Sequence, residues 1–186
     1  METTLTALAA RGGTPAVRQP YRERWKAIQL SDTLRLMRLA ARNIATSKDG
    51  SLLVKQFERE FCQLTNARFS LTVNSGTAAL HSAYFAAGVR EGTEVIVPSY
   101  TWFATAAPVL QLGGTPVFCD IDPNTLTIAP DRVEALITER TRAICAVHVW
   151  GNPAAMDRLA AIARKYHLVL IEDASHAHGA LYRDRP

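Results

Sequence analysis

Cysteine is scarce in this 186-residue sequence. Cys62, Cys119 and Cys145 are odd in number, far apart, set in apolar runs and without a Cys-x-x-Cys pair. That excludes a disulfide-stapled scaffold and points to free thiols in a reducing cytoplasm. A large excess of one charge is missing as well: 21 Lys and Arg stand against 17 Asp and Glu, for a net charge of +4. This is too small and too dispersed to argue for nucleic acid. Arg18, Arg22, Arg24, Arg35, Arg38 and Arg42 thicken the first quarter, but acids are interleaved, which describes a solvated face. No stretch approaches the ~18 to 20 apolar residues of a membrane span. The opening METTLTALAARGG has an acid at position two and no long apolar segment, so the expectation is a protein neither exported nor inserted. Internal repeats and low-complexity tracts are absent. What is present, 48% hydrophobic and 20% charged residues, is the mixture of an ordinary globular domain. Its length suffices to bury roughly two-thirds of the unfolded surface without staples.

Residues 1–50 show weak periodicity and hold Gly12-Gly13, Pro15, Pro20 and Ser47-Lys48-Asp49-Gly50, which reads as an arm with one short helix near Asp32 to Ile44. From Leu53 the pattern sharpens: Leu53, Phe57, Phe61 and Leu64 recur at three and four residues and predict an amphipathic helix. Five apolar runs then read as strands: Arg68 to Asn74, Glu94 to Pro98, Thr115 to Asp120, Arg142 to Val149 and Leu168 to Glu172. Between them Thr77 to Ala87, Trp102 to Leu112, Pro130 to Thr138 and Met156 to Tyr166 read as helices, the third starting on Pro130 without a polar cap at Ala129. Alternating strands and helices, with strands too apolar for a half-wet sheet, predict an α/β fold: a mostly parallel sheet covered by helices on both faces.

In such sheets ligands bind beyond the carboxyl ends of the strands, so the residues following each strand carry the information. After the first comes Asn74-Ser75-Gly76-Thr77, a small-residue turn entering a helix. It suits either a phosphate at the helix start or a plain serine cap. After the second comes Pro98-Ser99-Tyr100-Thr101-Trp102-Phe103, where Trp102 either stacks on a planar ligand or fills the core. The last run ends in Glu172-Asp173, followed by Ala174-Ser175-His176-Ala177-His178. A carboxylate at the end of a buried strand is costly unless a positive or hydrogen-bonding group meets it, which singles out Asp173. Zinc-ligand spacing, a Gly-x-Ser-x-Gly elbow and a Gly-x-Gly-x-x-Gly turn are all missing, so metal, hydrolase and dinucleotide chemistry are weakly supported. An anion cradle, a flat aromatic and an isolated acid at one sheet edge together fit a phosphorylated aromatic cofactor with the shape of pyridoxal phosphate.

The wording of the chain also resembles the DegT family of pyridoxal-phosphate sugar aminotransferases and aminohydroxybenzoate synthases. The likeness rests on Gly12-Gly13-Thr14-Pro15, Phe57-Glu58-Arg59-Glu60-Phe61, Asn74 to Leu80, Val95 to Trp102, Asp120-Ile121-Asp122-Pro123, His148 to Pro153 and Glu172 to Ala180, seven pieces in order. The resemblance implies a fold-type I large domain over residues 51–186, truncated before its C-terminal part, and a homodimer that completes the active site. It implies that Gly76 and Thr77 hold the cofactor phosphate, that Trp102 stacks on the pyridine ring, that Asp173 pairs with the ring nitrogen and that His176 lies near the ring's oxygen side. It further implies an amino-acid donor and a keto-sugar or cyclic-ketone acceptor, as in sugar, antibiotic or cell-surface polysaccharide biosynthesis. The Schiff-base lysine of the family lies some two dozen residues past the Glu-Asp-Ala stretch, beyond Pro186. The expectation is therefore an inactive half-chain when alone, with a sugar-dehydratase relative, a non-catalytic homologue and a nucleotide-binding α/β protein as alternatives.

Overall fold

The computed structural model describes residues 28–41 and 52–186. The chain divides into two compact units, residues 1–51 and residues 52–186. In the first, helix α1 (Leu30–Ala41) starts where Asp32 Oδ2 accepts the Gln29 N–H at 3.0 Å, an acid favourably placed in the first turn. Leu34, Leu36 and Met37 on this helix are exposed, as are Arg35 and Arg38. The expected end at Ile44, the Gly12 to Pro15 piece and Arg18, Arg22, Arg24 and Arg42 lie outside the described residues.

The second unit opens with α2 (Leu52–Thr65) and α3 (Gly76–Ala86) and then builds a sheet. Its strands are β1 (Glu94–Pro98), β2 (Thr115–Cys119), β3 (Thr141–Val147) and β4 (Val169–Asp173). They are parallel throughout, in the order β2-β1-β3-β4. Between strands stand α4 (Ala107–Gln111), α5 (Pro130–Val133) and α6 (Met156–Lys165).

Strand alternation sorts the core into two layers. Val95 and Val97 of β1 and Ala143, Cys145 and Val147 of β3 pack with Leu80 and Tyr84 of α3 and Val109 of α4. Ile96, Ile144 and Ala146 turn the other way, onto Val133 of α5 and Leu159, Ile162 and Ala163 of α6. Each Val, Leu or Ile among them contributes about 1.5–3 kcal/mol when fully buried. The expected α/β class, with a parallel sheet and helices on both faces, is what the structure has. The central strands are dry on both sides, whereas β2 and β4 form the edges and expose Phe118 and Val169.

Three expectations need correction. Arg68 to Asn74 is not a strand but irregular chain with Phe69 and Leu71 exposed. Its backbone finds the Glu58 carboxylate, which accepts the Thr72 N–H at 2.8 Å, instead of a neighbouring strand. Trp102 to Leu112 is broken into a 3-10 turn at Phe103–Thr105 and the short α4, because Pro108 lacks an N–H and its ring would clash one turn back in a continuous helix. Pro130 to Thr138 turns into a 3-10 segment after Val133 and is extended by Ile137. There the Thr138 N–H is taken by the Thr141 hydroxyl at 2.9 Å. Ala129 caps α5 without a side-chain hydrogen bond, as expected.

All three cysteines are free thiols, Cys119 and Cys145 buried and Cys62 half-buried. Burial pushes the Cys145 thiol up to about 12 and the Cys119 thiol to about 11, so both stay protonated. Among the described residues no helix is long and apolar enough to cross a membrane.

Candidate active site

Beyond the carboxyl ends of β1, β3 and β4 the second unit opens into a cavity of about 550 Å³. All five residues named from the sequence, Gly76, Thr77, Trp102, Asp173 and His176, line it. Residues distant in sequence meet there because the strands are parallel and their loops leave on one side.

The start of α3 forms one wall. Ser75 is extended, its Oγ accepts the Ala78 N–H at 3.1 Å, and its carbonyl takes the Ala79 N–H at 3.0 Å. Ser75 is thus a true cap, and the N–H groups of Gly76 and Thr77 precede the first intrahelical bond. At Gly76 an added Cβ would stand 3.8 Å from Ser175 Oγ, between the helix start and the loop after β4. Glycine keeps that gap open for an anion to approach the backbone.

Asp173 closes β4. Its carbonyl accepts the His148 N–H at 3.1 Å, which ties the ends of β3 and β4 together. Oδ1 accepts the Ser175 N–H at 3.1 Å and the Ser175 hydroxyl, while the Thr105 hydroxyl approaches Oδ2 at 3.4 Å. Among the described residues no cation forms an ion pair with this carboxylate. Below it Tyr84 is fully buried and donates its hydroxyl to the Thr105 carbonyl at 2.9 Å. Burial first, then Cys145 and Asp173, raise the Tyr84 pKa far above the ordinary value and keep the phenol a donor.

The aromatic walls are exposed. Trp102 is 70% accessible and lies tilted against Phe103 at 5.2 Å between ring centres, so the core alternative does not apply to it. His176 stacks on Trp150 at 5.5 Å with the planes 20° apart. Trp150 sits at φ 55° in the left-handed region, followed by Gly151 at φ 83°. A Cβ on Gly151 would come within 3.3 Å of the His176 carbonyl. A bulky residue held in this region marks local strain that its surroundings over-determine.

Sequence reasoning missed Trp150, Ser175, Thr101 and Thr105 as members of the site. The Trp-Gly pair just after a strand was the available signal for Trp150. Nothing in the linear pattern distinguishes Thr105 from any other small helix-turn residue. Two further histidines are otherwise engaged. His148 is buried, accepts the Ala154 N–H on Nδ1 at 3.1 Å, and so carries its proton on Nε2, 3.0 Å from Glu172 Oε2. His178 lies edge-on to Phe61 at 6.2 Å. Among the described residues no three His, Cys, Asp or Glu side chains gather around a common point.

Comparison with known proteins gives concordant matches. Residues 33–186 match the model of the DegT/DnrJ/EryC1/StrS aminotransferase family. The L-glutamine:2-deoxy-scyllo-inosose aminotransferase of Streptomyces fradiae is 46% identical over 129 residues, 69% of this chain and 30% of that protein. The structure of DesI in the presence of its TDP-sugar product superposes with a TM-score of 0.80 at 38% identity, covering 98% of this chain and 46% of that one. NtdA from Bacillus subtilis with bound cofactor PMP superposes with a TM-score of 0.71 at 32% identity, covering 79% and 34% respectively. The chain spans less than half the length of each of these proteins.

Proposed function

Because the chain belongs to the DegT/DnrJ/EryC1/StrS aminotransferase family, we propose that its cavity is the pyridoxal-phosphate site of a sugar aminotransferase. In this reading residues 51–186 are the cofactor-binding α/β domain and residues 1–50 an arm with one short helix. The observation that carries the reading is the convergence on one cavity of a helix start, an exposed indole and a carboxylate that no cation of the described residues meets.

The residues fit the group. The open glycine gap at Gly76 leaves room for a phosphate against the N–H groups of Gly76 and Thr77. Trp102 offers a flat face for a pyridine ring. Among the described residues Asp173 is gripped by neutral donors and has no positive partner, which a protonated ring nitrogen would supply. His176, steadied by Trp150, is assigned to the oxygen side of the ring. Bound there, pyridoxal phosphate supplies the electron sink for moving an amino group. The part of Asp173 is to hold the proton on the ring nitrogen, and that of the helix start is to anchor the phosphate.

The amino group is proposed to pass from an amino-acid donor such as glutamine or glutamate to a keto sugar or related cyclic ketone, in keeping with the named S. fradiae relative. The linking lysine is assigned to chain beyond Pro186. Neither Lys55 nor Lys165 lines the cavity, and Lys165 pairs with Glu134 at 3.1 Å. Lys26 and Lys48 lie outside the described residues. The exposed Trp102 and Trp150 at the cavity mouth suit a homodimer that completes the site, and the three free thiols suit a cytoplasmic protein. Titrating pyridoxal phosphate into the full-length polypeptide, followed by absorbance, tests the reading. Saturable binding, then amine transfer from glutamine to a keto sugar, is expected. A folded protein that binds no pyridoxal phosphate would overturn it.

A further inference from the structure

We propose that Thr105, one layer behind the cavity, is a positioning residue that aims the Asp173 carboxylate at the ring nitrogen through a one-way chain of hydroxyls beginning at Thr101. This rests on the cofactor reading above.

Thr105 is fully buried, and its hydroxyl lies 2.8 Å from the Thr101 hydroxyl and 3.4 Å from Asp173 Oδ2. An ionised carboxylate can only accept, and a threonine hydroxyl has one proton to give. Thr105 therefore donates to Asp173, and Thr101 must donate to Thr105. The direction of both bonds follows from the charge on Asp173. Both backbone groups of Thr105 are also committed, its N–H to the Trp102 carbonyl at 3.0 Å and its carbonyl to the Tyr84 hydroxyl at 2.9 Å. The backbone that carries the hydroxyl is thus fixed at both ends.

Asp173 is consequently held at both oxygens from separate pieces of chain, Ser175 at Oδ1 and Thr105 at Oδ2. Two fixed donors define the plane of the carboxylate, and with it the direction of the lone pairs left for the cavity. Simple packing does not account for this choice, because valine has nearly the same shape and needs no partner for a buried hydroxyl. The 3.4 Å contact is long, as bonds supporting a site often are before the ligand tightens them. Thr101 itself lines the cavity, so the chain of hydroxyls begins and ends at the space the cofactor would fill.

The test uses the full-length polypeptide, with Thr105→Val, Thr105→Ser and Thr101→Val. Two probes are titrated: pyridoxal 5'-phosphate, and its deaza analogue in which C–H replaces the ring nitrogen. Thr105→Val should bind pyridoxal phosphate about tenfold more weakly and show a weaker induced circular dichroism of the bound ring. Thr105→Ser should restore both. The deaza analogue, having no ring nitrogen for Asp173 to meet, should bind parent and Thr105→Val equally. Equal loss for both probes, or no loss for either, overturns the proposal. Should Thr105→Val not fold, Thr101→Val decides, with about a threefold selective loss expected for the missing donor and an unselective or absent loss overturning the proposal. If the folded parent and all variants alike bind no pyridoxal phosphate, the cofactor reading itself has failed and this inference falls with it.

Discussion

Two carboxylates stand at opposite ends of the same sheet and show how differently one side-chain chemistry can be used. Glu94 opens β1 at the amino edge and Asp173 closes β4 at the carboxyl edge. The Glu94 side chain is almost wholly buried and is met by the Arg140 guanidinium, with Nε at 2.9 Å, and by the Thr138 hydroxyl at 2.6 Å. Its N–H also donates to the Arg140 carbonyl at 2.9 Å. Charge and lone pairs are both satisfied, so Glu94 is closed and has nothing left to offer a ligand. Asp173 has hydroxyl and N–H donors but, among the described residues, no cation, and it borders a cavity. A buried acid with its cation already present is structural. An acid held in place without one is available to a cation from outside.

The sharpest way to break this contrast is to neutralise each acid in turn. Asp173→Asn should weaken pyridoxal phosphate by about 100-fold, since a desolvated charge pair loses a member. It should leave the urea midpoint near that of the parent, because asparagine can still accept from Ser175. Glu94→Gln should do the reverse: cofactor affinity unchanged, and stability lower by about 1–2 kcal/mol for the lost charge-assisted bonds. Fluorescence-monitored urea unfolding and a cofactor titration on both variants decide it. A Glu94→Gln protein with poor cofactor affinity would mean that the two ends are not separate.

The pH dependence should follow the same division. The Thr138 hydroxyl, and after it Arg140, hold the Glu94 carboxyl below its ordinary 4.5 against the opposing effect of burial. A folded-state value below the unfolded one gives stability that is fully present above the ordinary value and is lost as pH falls through the folded one. The stability gap between parent and Glu94→Gln should therefore be constant near neutrality and shrink as pH falls below the ordinary carboxyl value. A gap that holds at the acid end would show that the pair acts through packing alone.

The contrast also explains what could be read from the sequence. Glu94 to Pro98 was legible to the residue, because a run buried on both faces must be apolar throughout and few other elements look like it. Asp173 was legible because an acid ending an apolar run requires an explanation, although β4 proves to be an edge strand with none of its residues buried. Glu94 at the start of its run posed the same question, but its answer, Arg140, lies 46 residues away and shows only in three dimensions. Arg68 to Asn74 failed as a strand because alternation describes a side-chain pattern, and a strand needs a neighbour's backbone that no local pattern supplies. Thr101 and Thr105 were invisible because their role depends on two donor directions and a distance. Trp102 offered a choice between core and ligand face, and its exposure removes the core alternative.

The smallest expected effect concerns strain at the open end. Trp150 adopts a left-handed backbone at φ 55° and spends its indole on His176 at the cavity wall. Leu126 and His167 also have positive φ, so such a conformation by itself is no mark of a site. What distinguishes Trp150 is that the turn aims an exposed aromatic at a residue of the cavity. Replacing it by alanine removes the ring and keeps the unfavourable backbone, whereas glycine removes the ring and relieves the backbone as well. Trp150→Gly should accordingly be more stable than Trp150→Ala by about 1 kcal/mol, although glycine ordinarily weakens a chain through its unfolded state. Both variants should lose the support of His176 equally and bind pyridoxal phosphate alike. Equal urea midpoints for the two would mean that the turn holds no strain. The open end would then differ from the closed one in its missing cation alone, and not also in the conformational cost of presenting its aromatic wall.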